Sequence, residues 1–240
     1  MNRALCAAVL FSSLLAEPPS AAGAAGKTVR FKTADGWAIA ARYRSPRPGR
    51  PVAILVHGVA AGKGEWETLQ SELARRGIGS LALDMRGHGD STAGPSGPRD
   101  FRDFDRTEEW PKATRDLAAA VSFVERQGIP RSRVGFIGGS VGANLAAQAV
   151  GSPKGRGRWL IIFSPGVDYR GVRLPPPPQD IPALVAASRE DAYAYRTAQA
   201  YAAARPGVTM LRASQGHGAQ MLSDPEFLKK LLDWIERNSR

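Results

Sequence analysis

Ser140 stands between Gly138 and Gly142, with the β-forming run Val134–Ile137 before it and the small-residue stretch Val141–Val150 after it. The pattern predicts a strand, a turn of almost no length and a helix. So tight a turn strains the backbone of its central residue and brings neighbouring chain too close for large side chains two positions away on either side. It also lifts a hydroxyl clear of the sheet at a helix N-terminus, where free N–H groups favour developing negative charge. For the bare string G-x-S-x-G, a glycine-rich packing turn explains as much; the strand–turn–helix context is what points to a nucleophile.

A serine that attacks an acyl carbonyl needs a base for its proton, and the base needs a carboxylate to fix its tautomer and face the cation it becomes. The chain has three histidines, His57, His88 and His217. His217 follows the last expected strand between Gly216 and Gly218, in a loop able to bring an imidazole over the sheet edge, and is the candidate base. The carboxylate should come from a strand-end loop between the two. Asp191 fits that position, with Glu190 and Asp168 as alternatives. Asp191 also precedes a helical run opening at Ala192, so it can cap that helix and orient a histidine together.

The elements that must position these groups alternate in type. A hairpin over Lys27–Arg44 turns at Asp35-Gly36, and Val52–Val56 reads as a strand covered on both faces. A helix over Trp66–Arg76 and a strand over Ile78–Leu83 follow, then a long polar loop to about Thr107. A helix spans Trp110–Gln127, and a buried strand Trp159–Phe163 follows the Ser140 unit. Gly166–Asp180 reads as a connection stiffened by Pro175–Pro178. Beyond it come a strand (Pro182–Ala187), a helix (Ala192–Ala204) and a last strand (Val208–Leu211). Gln215–Met221 reads as loop, and a final helix to about Glu236 opens on a capping box of Ser223 and Glu226. Alternation with short connections predicts an α/β fold, a mostly parallel central sheet with helices on both faces. His57, Asp84, Ser140, Asp191 and His217 all follow strands, the end where active residues of such sheets gather.

With 240 residues, 43% of them hydrophobic, the chain has enough apolar content for one substantial core. A net charge of +11 raises nucleic acid, membrane or an acidic polymer as partners. The arginines are scattered, however, without a basic run or interleaved aromatics, so no nucleic acid is expected. A solvated basic surface with weak association to anionic envelope polymers is. Arg3, the apolar run Ala4–Leu15 and the Ala/Gly region to residue 25 read as a signal peptide spanning 1–25, followed by a single mature domain over 26–240. The run is too short to cross a bilayer, so the product is expected to be secreted or periplasmic without stable membrane insertion. The one cysteine, Cys6, lies in that leader, which excludes disulfides, thiol catalysis and cysteine metal sites in the mature chain. No cofactor and no metal are expected.

His57-Gly58, Arg86-Gly87-His88-Gly89-Asp90-Ser91, Gly138–Gly142, Asp191 and Gly216-His217-Gly218 together resemble the ordered landmarks of the α/β-hydrolase superfamily, over roughly Lys27–Glu236. The form is similar to its small esterase-like and dienelactone-hydrolase-like members, with serine where the latter use cysteine. The resemblance implies a sheet of about eight strands without a large cap domain. It implies Ser140, Asp191 and His217 as the triad. The oxyanion donors would be the N–H groups of Val141 and Val59, with Ala60 as the alternative second donor. His57 and Arg86–Ser91 would shape turns. The implied activity is hydrolysis of small carboxylic esters through an acyl-enzyme. A serine peptidase of prolyl-oligopeptidase type, or a catalytically silent hydrolase-fold binding protein, are the alternatives.

Overall fold

The computed structural model describes residues 26–104, 108–151 and 157–240. The leader assigned to 1–25, with Cys6, and part of the loop expected before Trp110 lie outside the described residues. Eight strands form the main sheet: β1 (Lys27–Lys32), β2 (Ala38–Arg44), β3 (Val52–Val56), β4 (Gly79–Leu83), β5 (Val134–Gly139), β6 (Leu160–Phe163), β7 (Ala183–Ser188) and β8 (Thr209–Ala213). Their order across the sheet is β1-β2-β4-β3-β5-β6-β7-β8. The β1–β2 and β2–β4 pairs are antiparallel, and every pair from β4 to β8 is parallel. The parallel portion therefore presents all its carboxyl ends along one edge, where β3, β5, β7 and β8 each deliver a loop.

Strand alternation divides the core into two layers. Val52, Ile54, Val56, Phe136, Leu160, Ile162 and Val185 face α2 (Thr114–Arg126), α3 (Val141–Gly151) and α4 (Ala192–Ala203). Ala53, Leu55, Ile137, Ile161, Phe163 and Leu184 face α1 (Glu67–Arg75) and α5 (Pro225–Asn238). Every residue of β3, β4, β5, β6 and β7 is buried, as two-sided coverage requires.

Four expectations change in detail. The helix expected over Trp110–Gln127 is broken at Ala113 into a single turn, Glu109–Lys112, and α2. The Gly166–Asp180 connection holds a two-residue-per-strand hairpin, Asp168–Tyr169 with Val172–Arg173. Gln215–Met221 is not all loop, since Gly218–Ser223 forms a 3-10 turn. The capping box of Ser223 and Glu226 is replaced by Asp224, whose carboxylate accepts from the N–H groups of Glu226 and Phe227, while Ser223 donates to the Gln220 carbonyl. A carboxylate one position closer to Pro225, the first helical residue, meets the free N–H groups with better reach and favourable charge.

Candidate active site

Ser140 occupies the single position between β5 and α3 with φ of 56°. Glycine is obligatory on both sides. A Cβ at Gly142 would strike the carbonyls of Val56 and His57, and one at Gly138 would strike the backbone of Gly142. The Ser140 N–H donates to Phe163 O at 2.9 Å, and its carbonyl accepts from Ala143, which holds the elbow to β6 and to its own helix. Val141 is the first residue of α3, so its N–H has no partner within the helix.

The four non-glycine residues with positive φ among the described residues are Ala60, Ser140, Ser164 and Arg170. All lie beyond the carboxyl ends of β3, β5 and β6. Backbone of this kind costs about 1–3 kcal/mol per residue and persists where surrounding structure enforces it.

His217 and Asp191 meet. His217 Nδ1 lies 2.5 Å from Asp191 Oδ2, with the imidazole side chain 43% exposed and the carboxylate 19%. Asp191 Oδ1 also accepts from Ala194 N–H at 3.4 Å, so the residue caps α4 and faces the imidazole at once. Asp168 lies elsewhere, in the small hairpin, where it accepts from Gly171 N–H and faces Arg173. The His217 loop packs on the elbow: a Cβ on Gly139 would sit 3.3 Å from Gly218 Cα, and one on Gly218 would sit 3.9 Å from Ser140 N. The candidate base and the candidate nucleophile thus share one side of the sheet, on adjoining segments.

Three contacts hold that loop. Ser164 Oγ accepts from Gly218 N–H at 3.0 Å, Ser188 Oγ donates to Gly216 O at 2.8 Å, and Gln220 Oε1 accepts from His217 N–H at 3.1 Å. Ser164 is fully buried at the end of β6 and bears a positive φ. Nothing in the sequence pattern singled it out; the signal available was a serine-proline pair closing an apolar strand.

The loop after β3 lies against Ser140: a Cβ on Gly58 would approach Ser140 Cβ to 3.1 Å and Oγ to 3.8 Å. His57 is completely buried and fixes this loop. Its Nε2 accepts from Met85 N–H at 2.9 Å, so Nδ1 carries the proton and donates to Gly58 O at 2.7 Å. Burial pushes its pKa down to about 3, so it stays neutral and acts as a brace. Because a trans peptide sets C=O and N–H in opposite directions, a Gly58 carbonyl held by His57 turns the Val59 N–H away from His57. Asp84 secures the far side of the same loop, accepting from Lys63 N–H at 2.7 Å, Asp90 N–H at 2.9 Å and the Lys63 ammonium. Burial pushes that carboxyl up, but Lys63 and the N–H donors outweigh it and hold the carboxyl below its usual range.

His88 does not join the candidate triad. Its ring stacks on Phe101 at 4.1 Å and its Nδ1 meets Arg86 O. Arg86, 1% exposed, bonds Asp116, Glu109 and Asp35 and ties the 86–91 turn to α2 and the first hairpin. Among the described residues no group of three or more potential metal ligands occurs, and no helix is long and apolar enough to cross a membrane.

A strand–serine–helix corner at the carboxyl edge of this eight-stranded sheet, with an Asp–His pair on the last two loops, defines the α/β-hydrolase class. Residues 47–231 match the family model for the S33 serine aminopeptidases, and the chain belongs to that family of α/β hydrolases. An esterase from Pyrococcus furiosus is similar in fold, with TM-score 0.64 and 16% identity over 88% of this chain and 92% of that one. An α/β hydrolase from Novosphingobium aromaticivorans aligns with TM-score 0.65 and 17% identity over 90% and 99%. A thermophilic esterase from Thermogutta terrifontis aligns with TM-score 0.68 and 14% identity over 89% and 100%. No curated protein matches the chain significantly.

Proposed function

We propose that the protein is a serine hydrolase that cleaves small carboxylic esters outside the cytosol. The observation that carries this reading is the Asp191–His217 pair on a loop packed against the strained Ser140 elbow. Ser140 Oγ attacks the acyl carbonyl, and its proton passes to His217 Nε2. Asp191 keeps the opposite nitrogen protonated and faces the imidazolium. The carbonyl oxygen, now negative, accepts from the Val141 and Val59 N–H groups. Collapse expels the alcohol, which takes the proton from His217, and water repeats the sequence to free the acid.

Ester rather than lipid or peptide substrates are favoured by the connection after β6. It carries only the small hairpin at 168–173, with no helical lid. Val167, just before that hairpin, donates its N–H to the hydroxyl of Tyr193 in the first turn of α4, two residues after Asp191, and the two side chains, 65% and 44% exposed, give an open apolar surface suited to the hydrocarbon of a small ester. The name of the matched family favours a second reading, an aminopeptidase. Short acyl esters compared with aminoacyl amides decide between them: the ester reading requires a kcat/KM at least tenfold higher for esters, and the reverse ratio selects the peptidase. Stoichiometric labelling of Ser140 by a fluorophosphonate is expected in either case. Salt-sensitive binding of anionic polymer without labelling would instead identify a hydrolase-fold binding protein.

A further inference from the structure

The fold gathers arginines that are scattered along the sequence. The segments leading into the parallel strands, with the end of α5, lie along the amino edge of the sheet, opposite Ser140. These segments (45–51, 75–78, 126–133, 157–159, 174–182, 204–208 and 236–240) hold eleven arginines against two acids, Asp180 and Glu236. The loops leaving the same strands (57–66, 84–113, 164–173, 189–191 and 214–224) hold eleven acids against eight basic residues among the described residues. The positive charge of the chain therefore faces away from the candidate active site.

Part of this follows from the helices. α1, α2, α4 and α5 end on the amino edge, where a cation offsets the negative end of the helix dipole, and Arg75, Arg126 and Arg237 each stand in such a last turn. Arg47 and Arg50 lie instead in the Pro/Gly segment before β3, and Arg133 in the 3-10 turn before β5. These three line one groove of about 300 Å³, together with Gly49 and Gly128. Both glycines have φ of 79°, and a Cβ on either would meet nothing within 4 Å, so the groove is open over the backbone at two points. Glu236 holds Arg50 at 2.6 Å from outside the groove. Among the described residues no acid lines the groove, and neither Arg47 nor Arg133 has an acidic partner.

We propose that the amino edge is a docking surface for a linear polymer of phosphate groups, seated in the groove of Arg47, Arg50 and Arg133, which holds the protein with its Ser140 edge turned outward. The guanidinium fork matches phosphate oxygens bidentately and keeps its charge across the physiological pH range. A bilayer or a single-stranded nucleic acid asks more of a basic face: apolar side chains to bury among the lipids, or aromatic rings on which bases stack. The exposed large apolar side chains among the described residues are Val167 and Tyr193, and both sit at the carboxyl edge. The amino edge offers charge and an open groove, and a chain of repeated phosphates needs nothing else.

Polymer binding at this edge does not depend on Ser140 being a nucleophile. Binding of inorganic polyphosphate is measured by titration calorimetry between about 50 and 200 mM salt. The purified parent is compared with Arg47→Gln/Arg133→Gln and with Arg99→Gln/Arg102→Gln, an equal loss of charge at the opposite edge. The parent's affinity should fall steeply with salt, as release of counterions from each neutralised phosphate requires. Arg47→Gln/Arg133→Gln should bind at least about tenfold more weakly, with a slope of log affinity against log salt shallower by about two. Arg99→Gln/Arg102→Gln should stay within about threefold of the parent. Amide hydrogen exchange of the parent, which needs no variant to fold, should slow on binding in 45–50 and 126–133 but not in 99–103 or 168–173. Absence of salt-dependent binding by the parent, equal losses in the two double variants, or protection confined to the Ser140 edge overturns the proposal. Tighter binding, by about tenfold or more, of a single-stranded oligonucleotide at equal phosphate concentration or of phosphatidylglycerol vesicles overturns it too, and assigns the face to nucleic acid or to membrane.

Discussion

The fold should be measurably less stable above neutral pH because of Glu65, a partly buried acid of the 3-10 turn Lys63–Trp66 whose Oε1 has no hydrogen-bond partner, and Glu65→Gln should remove that loss. A carboxyl whose folded pKa lies above its unfolded value contributes stability that is fully present below the unfolded value and disappears as pH rises through the folded one. For Glu65 these limits are 4.5 and about 7. Each unit of difference corresponds to ~1.36 kcal/mol, so the ceiling on the pH-dependent loss is about 3.4 kcal/mol. Water around the exposed part of the side chain lowers this to about 2 kcal/mol. The assay is urea unfolding of parent and Glu65→Gln at pH 4.5, 6, 7 and 8.5. Subtracting one variant from the other cancels every other titrating group, including Asp35 and Asp84. With a slope of about 2–3 kcal/mol/M for a chain of this size, the Glu65→Gln midpoint should gain nearly 1 M relative to the parent between pH 4.5 and 8.5. A difference that stays flat across that range would refute the reasoning, since the carboxyl would then be ionised freely in the folded state.

Asp191→Asn should lower kcat by about 10³-fold or more, because an amide no longer holds the His217 tautomer. The α4 cap survives in part, so a chain that stays folded by circular dichroism isolates the chemical loss. Ser164→Ala leaves the Gly218 N–H unsatisfied in a buried position, which should cost about 1–3 kcal/mol of stability in urea unfolding and reduce kcat through a looser His217. Unchanged kinetics in Ser164→Ala would show that the loop is held by Ser188 and Gln220 alone.

The elbow was legible in the sequence because its pattern is short. Gly138 is dictated by collision with the Gly142 backbone four residues on. Gly142, whose Cβ would strike the Val56 and His57 carbonyls of the neighbouring strand end, falls at the matching position on the other side of Ser140. The strands were legible for a similar reason, since continuous apolar runs such as Val52–Val56 have no other way to be satisfied than coverage on both faces. The hairpin at 168–173 was not, because only four residues pair and its base is held from outside, by Asn144 donating to Gly166 O and Val172 O. The cap of α5 fell one residue from its expected place because Ser223 and Asp224 are both competent, and Ser223 is drawn away by the Gln220 carbonyl. Ser164 and Glu65 act through partners distant in sequence or through burial, and no spacing rule reports either. Of the candidate site, order along the chain indicated Asp191 and His217; the surroundings that fix their geometry came only with the fold.

The most direct measurement is fluorophosphonate labelling read by intact mass and peptide mapping, alongside short-ester turnover of the parent and Ser140→Ala. One label per chain, on Ser140, is expected, with a loss of at least ~10⁴-fold in turnover when the hydroxyl is removed. A label on another residue, or a Ser140→Ala variant as active as the parent, would contradict the assignment of Ser140 as nucleophile.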